Sequence, residues 1–167
     1  PERESPLFRY NIAFNSLSRD EPRALAELGA ILADKDHFLH GVHAARIYEE
    51  LASHYTRLKK PEEAEKYFDI LLRERQNQSQ HFLLVYARHL AQKGKVEDGR
   101  IIIERMLRLY PQNHLVLLYS AMFYHEIGEF DEAMNILTKD YALFPTDRVR
   151  GLLQQLREEM KNHKPPL

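Results

Sequence analysis

The chain contains no cysteine, so disulfides and thiolate chemistry are excluded, and reducing and oxidising compartments both stay open. Glycine is sparse, six in all and never in a run, which argues against a phosphate-cradling loop. A basic excess is missing: Lys plus Arg is 24 against 25 for Asp plus Glu, a net charge of −1. Nucleic-acid binders draw much of their affinity from neutralising phosphates, so no nucleic-acid partner is expected. No apolar run approaches the ~20 residues that span a bilayer, so no membrane insertion is expected. No stretch keeps clean period-two alternation between turn signals, so no strand is expected. The chain begins at Pro1 without a signal-peptide pattern, which leaves open processing and excision from a longer chain. A cytoplasmic setting is the working expectation, with the periplasm or another compartment still open.

What is present is an ordinary soluble balance over 167 residues, 44% hydrophobic and 29% charged, enough for one domain with a continuous core. Its strongest feature is a repeat. From Gln80 to Asp147 one pattern is written twice, 34 residues apart. Gly94 recurs as Gly128, Pro111 as Pro145, Leu83 as Leu117, Ala87 as Ala121 and Leu109 as Leu143. Thirty-four residues suffice for two antiparallel helices and their turns, a unit that stacks on copies of itself.

Apolar residues at helical spacing extend the pattern in both directions. Leu7, Tyr10 and Phe14 mark a first helix, and Ala24, Leu28, Ile31 and Leu32 a second, opened by Asp20 or Ser18 with Pro22 in its first turn. A long third helix is expected over 37–58, capped by Asp34 or Asp36, with Gly41 inside it. Pro61, Glu62 and Glu63 open a fourth. Gly94 and Gly128 are expected to close the fifth and seventh in the left-handed conformation. Thr146 or Asp147 caps a ninth helix, with Val149, Leu152, Leu153, Leu156 and Met160 on one side.

Residues 80–147 resemble two tetratricopeptide repeats. In the unit counted from His114 this sequence has Leu117, Ser120, Ala121, Tyr124, Gly128, Ala133, Leu137, Asp140 and Pro145, and the string Gly128-Glu129-Phe130-Asp131-Glu132-Ala133 is close to the family's turn. In the unit from Gln80 they are Leu83, Tyr86, Ala87, Leu90, Gly94, Gly99, Ile103, Met106 and Pro111. A unit from Ala45 offers Tyr48, Leu51, Ala52, Tyr55, Ala64 and Phe68. It departs in having Lys59 where the family has Gly and Gln76 where it has Pro. Small residues at repeat positions 8 and 20 let paired helices approach, and large ones at 4, 7, 11 and 24 fill the space between hairpins.

The resemblance implies an all-α fold, an α-solenoid of stacked antiparallel helix hairpins in a right-handed arc with a C-terminal capping helix. The expected organisation is a frayed lead-in at 1–6, a divergent helix pair at 7–36, units at about 37–79, 80–113 and 114–147, a capping helix at 148–162 and a tail at 163–167. The family commonly holds partners against the first helix of each unit, at repeat positions 2, 5, 9, 12 and 13. Carried over, these are Arg46, Glu49, Ser53, Thr56 and Arg57; His81, Leu84, Arg88, Ala91 and Gln92; and Leu115, Leu118, Met122, His125 and Glu126. The resemblance thus implies a noncatalytic module that binds a protein or peptide in its groove, an adaptor or scaffold. Two other roles stay open: a structural subunit that associates with itself, and a regulatory segment of a larger enzyme or transcription regulator.

Leu84, Leu118 and Met122 stand out, because apolar side chains on a solvent-facing surface mark a contact site. The competing expectation is that terminal segments fold back over them. The Lys and Asn clamp by which one subtype holds a peptide carboxylate is absent, since positions 5 and 9 carry Glu49 and Ser53, Leu84 and Arg88, Leu118 and Met122. His37, His40 and His43 are spaced as surface histidines of a helix, with no His-x-x-x-His pair, so no metal or other cofactor is expected. No G-x-S-x-G elbow and no identifiable nucleophile are present, so no catalytic activity is expected.

Overall fold

The computed structural model describes residues 5–34, 43–73 and 79–163. These form nine α-helices and no strand: α1 (Pro6–Ser16), α2 (Glu21–Ala33), α3 (Ala44–Arg57), α4 (Pro61–Arg73), α5 (Gln80–Gln92), α6 (Val96–Leu109), α7 (His114–Glu126), α8 (Phe130–Leu143) and α9 (Asp147–His163). The helix bounds repeat with the sequence. Both ends of α5 recur in α7 34 residues on, and both ends of α6 recur in α8 at the same spacing.

Two compact units are present, one covering Pro1–Arg57 with Glu62–Arg75, the other Leu58–Pro61 with Gln76–Leu167. In the first, α1 packs on α2, and Tyr10, Ala13, Leu17, Ala24, Leu28 and Ile31 share a core with Ile47 and Leu51 of α3. Helix α4 joins through Tyr67, whose ring stacks on Tyr48 and on Tyr55. Asp20 caps α2 by accepting a hydrogen bond from the Arg23 amide at 3.4 Å. Ser5 and Pro6, expected in the lead-in, instead cap and open α1. The third helix is shorter than expected on its described side. It begins at Ala44, with His43 outside it, and Asp34 closes α2 rather than opening α3. Residues 35–42, with Asp36, His37, His40 and Gly41, lie outside the described residues.

In the second unit α5 packs on α6, α7 on α8, and α5 on α7, while α9 lies against α8. This is the hairpin-on-hairpin packing of a helical solenoid. One core runs through it, from Leu84 and Ala87 through Ile103, Met106, Leu117, Ala121, Ala133 and Leu137 to Val149, Leu153 and Leu156 of α9. Both turns inside the hairpins close the same way. The Lys95 amide reaches the Leu90 carbonyl and the Gly94 amide the Ala91 carbonyl; Glu129 to Tyr124 and Gly128 to His125 repeat the pair. That bonding requires a left-handed residue, supplied by Gly94 at φ 77° and Gly128 at φ 83°. Lys59, at the matching place after α3, holds the same conformation at φ 56° without being glycine.

The expected role of the small residues is visible at Gly99. A Cβ there would lie 2.6 Å from the Ala87 carbonyl oxygen and 2.8 Å from Cε2 of Phe123. The equivalent pair, Ala121 and Ala133, is buried in the same manner. Thr146 caps α9, its Oγ1 accepting from the Val149 amide at 3.3 Å.

Candidate protein-binding surface

Helix α7 is buried over most of its circumference: Val116, Leu117, Leu118, Ser120, Ala121, Phe123 and Tyr124 are buried, and Leu115, Tyr119 and Met122 are half-buried. A helix of that kind is enclosed on several sides. Helix α5 is similar, burying Leu84, Val85, Ala87 and Leu90 together with Arg88 and His89. Leu84 and Leu118, expected on an exposed groove, are therefore core residues, 0% and 4% exposed within one cluster. The physical reason is that α5 and α7 are direct neighbours, so an apolar residue at repeat position 5 of each goes into the shared core rather than to water.

The polar residues of α5 and α7 expected to contact a partner are paired within the unit, across the helices. His81 Nε2 lies 3.1 Å from the Tyr119 hydroxyl. Arg88 sends Nε to Glu126 Oε2 at 3.0 Å and Nη2 to the other carboxylate oxygen, and its guanidinium lies 5.9 Å from the Tyr119 ring centre. His125 Nε2 meets Glu159 Oε2 of α9 at 2.5 Å, and Gln155 Nε2 donates to Glu159 Oε1 at 2.8 Å. Burial holds the His81 imidazole below its ordinary pKa, so its neutral form is favoured. On the opposite side, Arg100 pairs with Glu129 through two bonds, which raises the guanidinium pKa and lowers that of the carboxyl.

Between α7, α8 and α9 lies a cleft of about 150 Å³. Ala121, Leu137, Leu152 and Leu156 are among its apolar walls; Met122 stands at its side, and His125, Glu126 and Gln155 at its rim. Met122 and His125 are thus brought together, both half-buried, while Leu115 is half-buried against the core.

The positions carried by α3 lie in the other unit. Arg46 is exposed with its guanidinium 5.3 Å from the Tyr10 ring centre. Arg57 is exposed and donates to Ser18 Oγ at 3.1 Å, beside His54 Nδ1 at 3.3 Å. Glu49 and Ser53 are half-buried, and Thr56 is buried, its hydroxyl bonded to the Ala52 carbonyl at 2.8 Å.

The sequence reading missed α9 as a wall of the cleft. Part of the signal was available, because Leu118 and Met122 have apolar counterparts 34 residues on at Leu152 and Leu156, although the core positions Leu117, Ala121 and Tyr124 are followed there by Gly151, Gln155 and Glu158.

Stacked antiparallel helix pairs closed by left-handed glycines define a helical-repeat protein of the kind that presents a surface to other proteins. A tetratricopeptide-repeat family model matches residues 50–114, which supports repeats of that family there. Comparison with curated proteins gives no match. Repeats of this family are noncatalytic and mediate protein–protein interaction. No helix among the described residues is long and apolar enough to cross a membrane.

Proposed function

We propose that the second unit is an adaptor surface that holds a protein partner by one apolar side chain seated between α7, α8 and α9. The observation that carries this reading is the cleft itself, with apolar walls, Met122 beside them and a polar rim of His125, Glu126 and Gln155. An apolar pocket with a few polar groups around it suits an anchor residue flanked by backbone amides. Methionine adapts its shape to the anchor. Gln155 spends its amide nitrogen on Glu159 and keeps its carbonyl oxygen as an acceptor. The role assigned to Arg88, His81 and His125 is to hold the helices around the cleft through their internal pairs. Leu84 and Leu118 contribute from beneath as core.

A peptide-display library of 12-residue inserts, selected on the chain, tests this. Selected peptides are expected to share one large apolar residue and to lose at least tenfold in affinity for the Met122→Asp variant, whose fold circular dichroism would verify. Peptides that bind the variant as well as the parent chain would sink the reading.

A further inference from the structure

The cleft between α7, α8 and α9 is apolar in its depth and polar only at its mouth. Ala121, Leu137 and Leu156 line it and are 1%, 5% and 2% exposed, so they form the floor. Met122 is half-buried at one side. The polar lining residues are His125, Glu126 and Gln155, and each is engaged at the mouth: His125 and Gln155 with Glu159, Glu126 with Arg88. A group that reaches the floor therefore meets no side-chain hydrogen bond there. The cleft measures about 150 Å³. A space of about that size among apolar side chains takes one benzene ring.

We infer that the partner side chain seated there is the phenyl ring of a phenylalanine. The inference rests on this cleft being the partner site, and it adds which residue the site selects. Each competing anchor fails on a different feature. The branched chain of leucine is smaller than a ring, so part of the floor loses its contacts. Leucine also lacks the contact that an aromatic ring makes with the Met122 sulfur. Tyrosine has the right ring, but with its backbone at the mouth its hydroxyl is directed to the floor, where it gives up water and finds no acceptor. The fused rings of tryptophan exceed the space. Ala121, Leu137 and Leu156 belong to the packed core, so the floor cannot retreat without repacking it. Phenylalanine enters edge first and fills the depth with carbon alone. Its backbone stays at the mouth, where Gln155 Oε1 accepts an amide N–H.

Methyl NMR on the full chain, with labelled methionine methyl groups, tests this. The Met122 signal is assigned by its absence from the spectrum of the Met122→Leu variant. The probes are the acetylated, amidated pentapeptide Gly-Ser-Phe-Gly-Ser and its counterparts with Leu, Tyr or Trp at the centre. Each is titrated to about 10 mM, because a short peptide with one anchor binds in the millimolar range. The Phe peptide is expected to shift the Met122 methyl through the ring current, while the methyl of Met106, deep in the core on α6, stays in place. The Leu, Tyr and Trp peptides are expected to bind at least about tenfold more weakly. A Leu, Tyr or Trp peptide that binds as tightly as the Phe peptide, read at Met122, overturns the inference and leaves the cleft as the partner site. A Met122 methyl that none of the four peptides moves overturns both.

Discussion

Arg88 of α5 and Glu126 of α7 form a two-pronged ion pair whose side chains are 7% and 15% exposed. The residues occupy repeat positions 9 and 13, and they link neighbouring first helices rather than meeting a partner. A buried pair is costly to break from one side, because the remaining charge stays out of water. Glu126→Ala is expected to destabilise the second unit by about 3 kcal/mol. Arg88→Met/Glu126→Leu, which removes both charges and keeps the volume, is expected to fall within about 1 kcal/mol of the parent. Urea unfolding followed at 222 nm measures both. Equal losses in the single and double variants would show that packing, not charge pairing, accounts for the contact.

Lys59 presents the reverse case, a side chain where the turn favours none. Its φ of 56° matches the glycines at 94 and 128. A left-handed backbone costs a residue with a Cβ roughly 1–2 kcal/mol, offset in part by the greater freedom that glycine loses on folding. Lys59→Gly is expected to stabilise the chain by about 0.5–1 kcal/mol. Gly94→Ala, in open space with no atom near the added Cβ, is expected to cost about 1 kcal/mol from backbone conformation alone. Thermal unfolding of the two variants should move in opposite directions. A lower midpoint for Lys59→Gly would contradict the strain assigned to this turn.

Much of the fold was legible because its determinants are local and periodic. Gly94, Gly128, Pro61 and Asp20 mark helix ends through backbone conformation or capping, and each acts where it was expected. The candidate surface was less legible, for a physical reason. Repeat register gives Leu84 and Leu118 an address on a helix, but burial depends on what stands opposite. The signal against exposure lay in composition: from Leu115 to Tyr124 every residue but Ser120 is hydrophobic, and such a helix is enclosed. Arg88 and Glu126 were likewise legible as groove positions but not as a pair, because their contact joins residues 38 apart on different hairpins. Leu7, Tyr10 and Phe14 were legible as apolar residues of α1, yet only Tyr10 is buried, since spacing alone does not distinguish a buried stripe from an exposed one.

Gly99 shows why one helix interior tolerates a poor helix former. Glycine costs about 1 kcal/mol relative to alanine inside a helix, so Gly99→Ala should stabilise α6 taken alone. In the folded unit the new Cβ would lie 2.6 Å from the Ala87 carbonyl oxygen, a backbone atom that has no rotamer to move to, and 2.8 Å from Phe123. The α5–α6 hairpin must open to admit it. Overpacking of this kind costs about 1–3 kcal/mol and outweighs the propensity gain. The expected result is a net loss in urea unfolding, and a stabilised Gly99→Ala variant would mean that the two helices have room to separate.

Asp140 breaks the apolar pattern of the core and should be improvable. It is fully buried on α8, at the position that Met106 holds on α6. Its Oδ1 meets His114 Nδ1 at 2.8 Å, while Oδ2 has no hydrogen-bond partner. Burial raises the carboxyl pKa, and the His114 contact, which lowers it, offsets this in part. In the window between the ordinary aspartate value and this raised one, the folded chain binds more protons than the unfolded chain. Stability therefore falls as pH rises through that window, and the deficit persists above it. Asp140→Ala removes both the charge and the unsatisfied oxygen. It is expected to gain about 1 kcal/mol at pH 7, the cost of one unsatisfied buried acceptor less the lost contact to His114. As pH falls toward 4 the parent carboxyl takes up its proton and the advantage should shrink. Unfolding free energies of the two chains, measured between pH 4 and pH 8, decide the matter: an advantage that grows on acidification would mean that the His114 pairing outweighs burial.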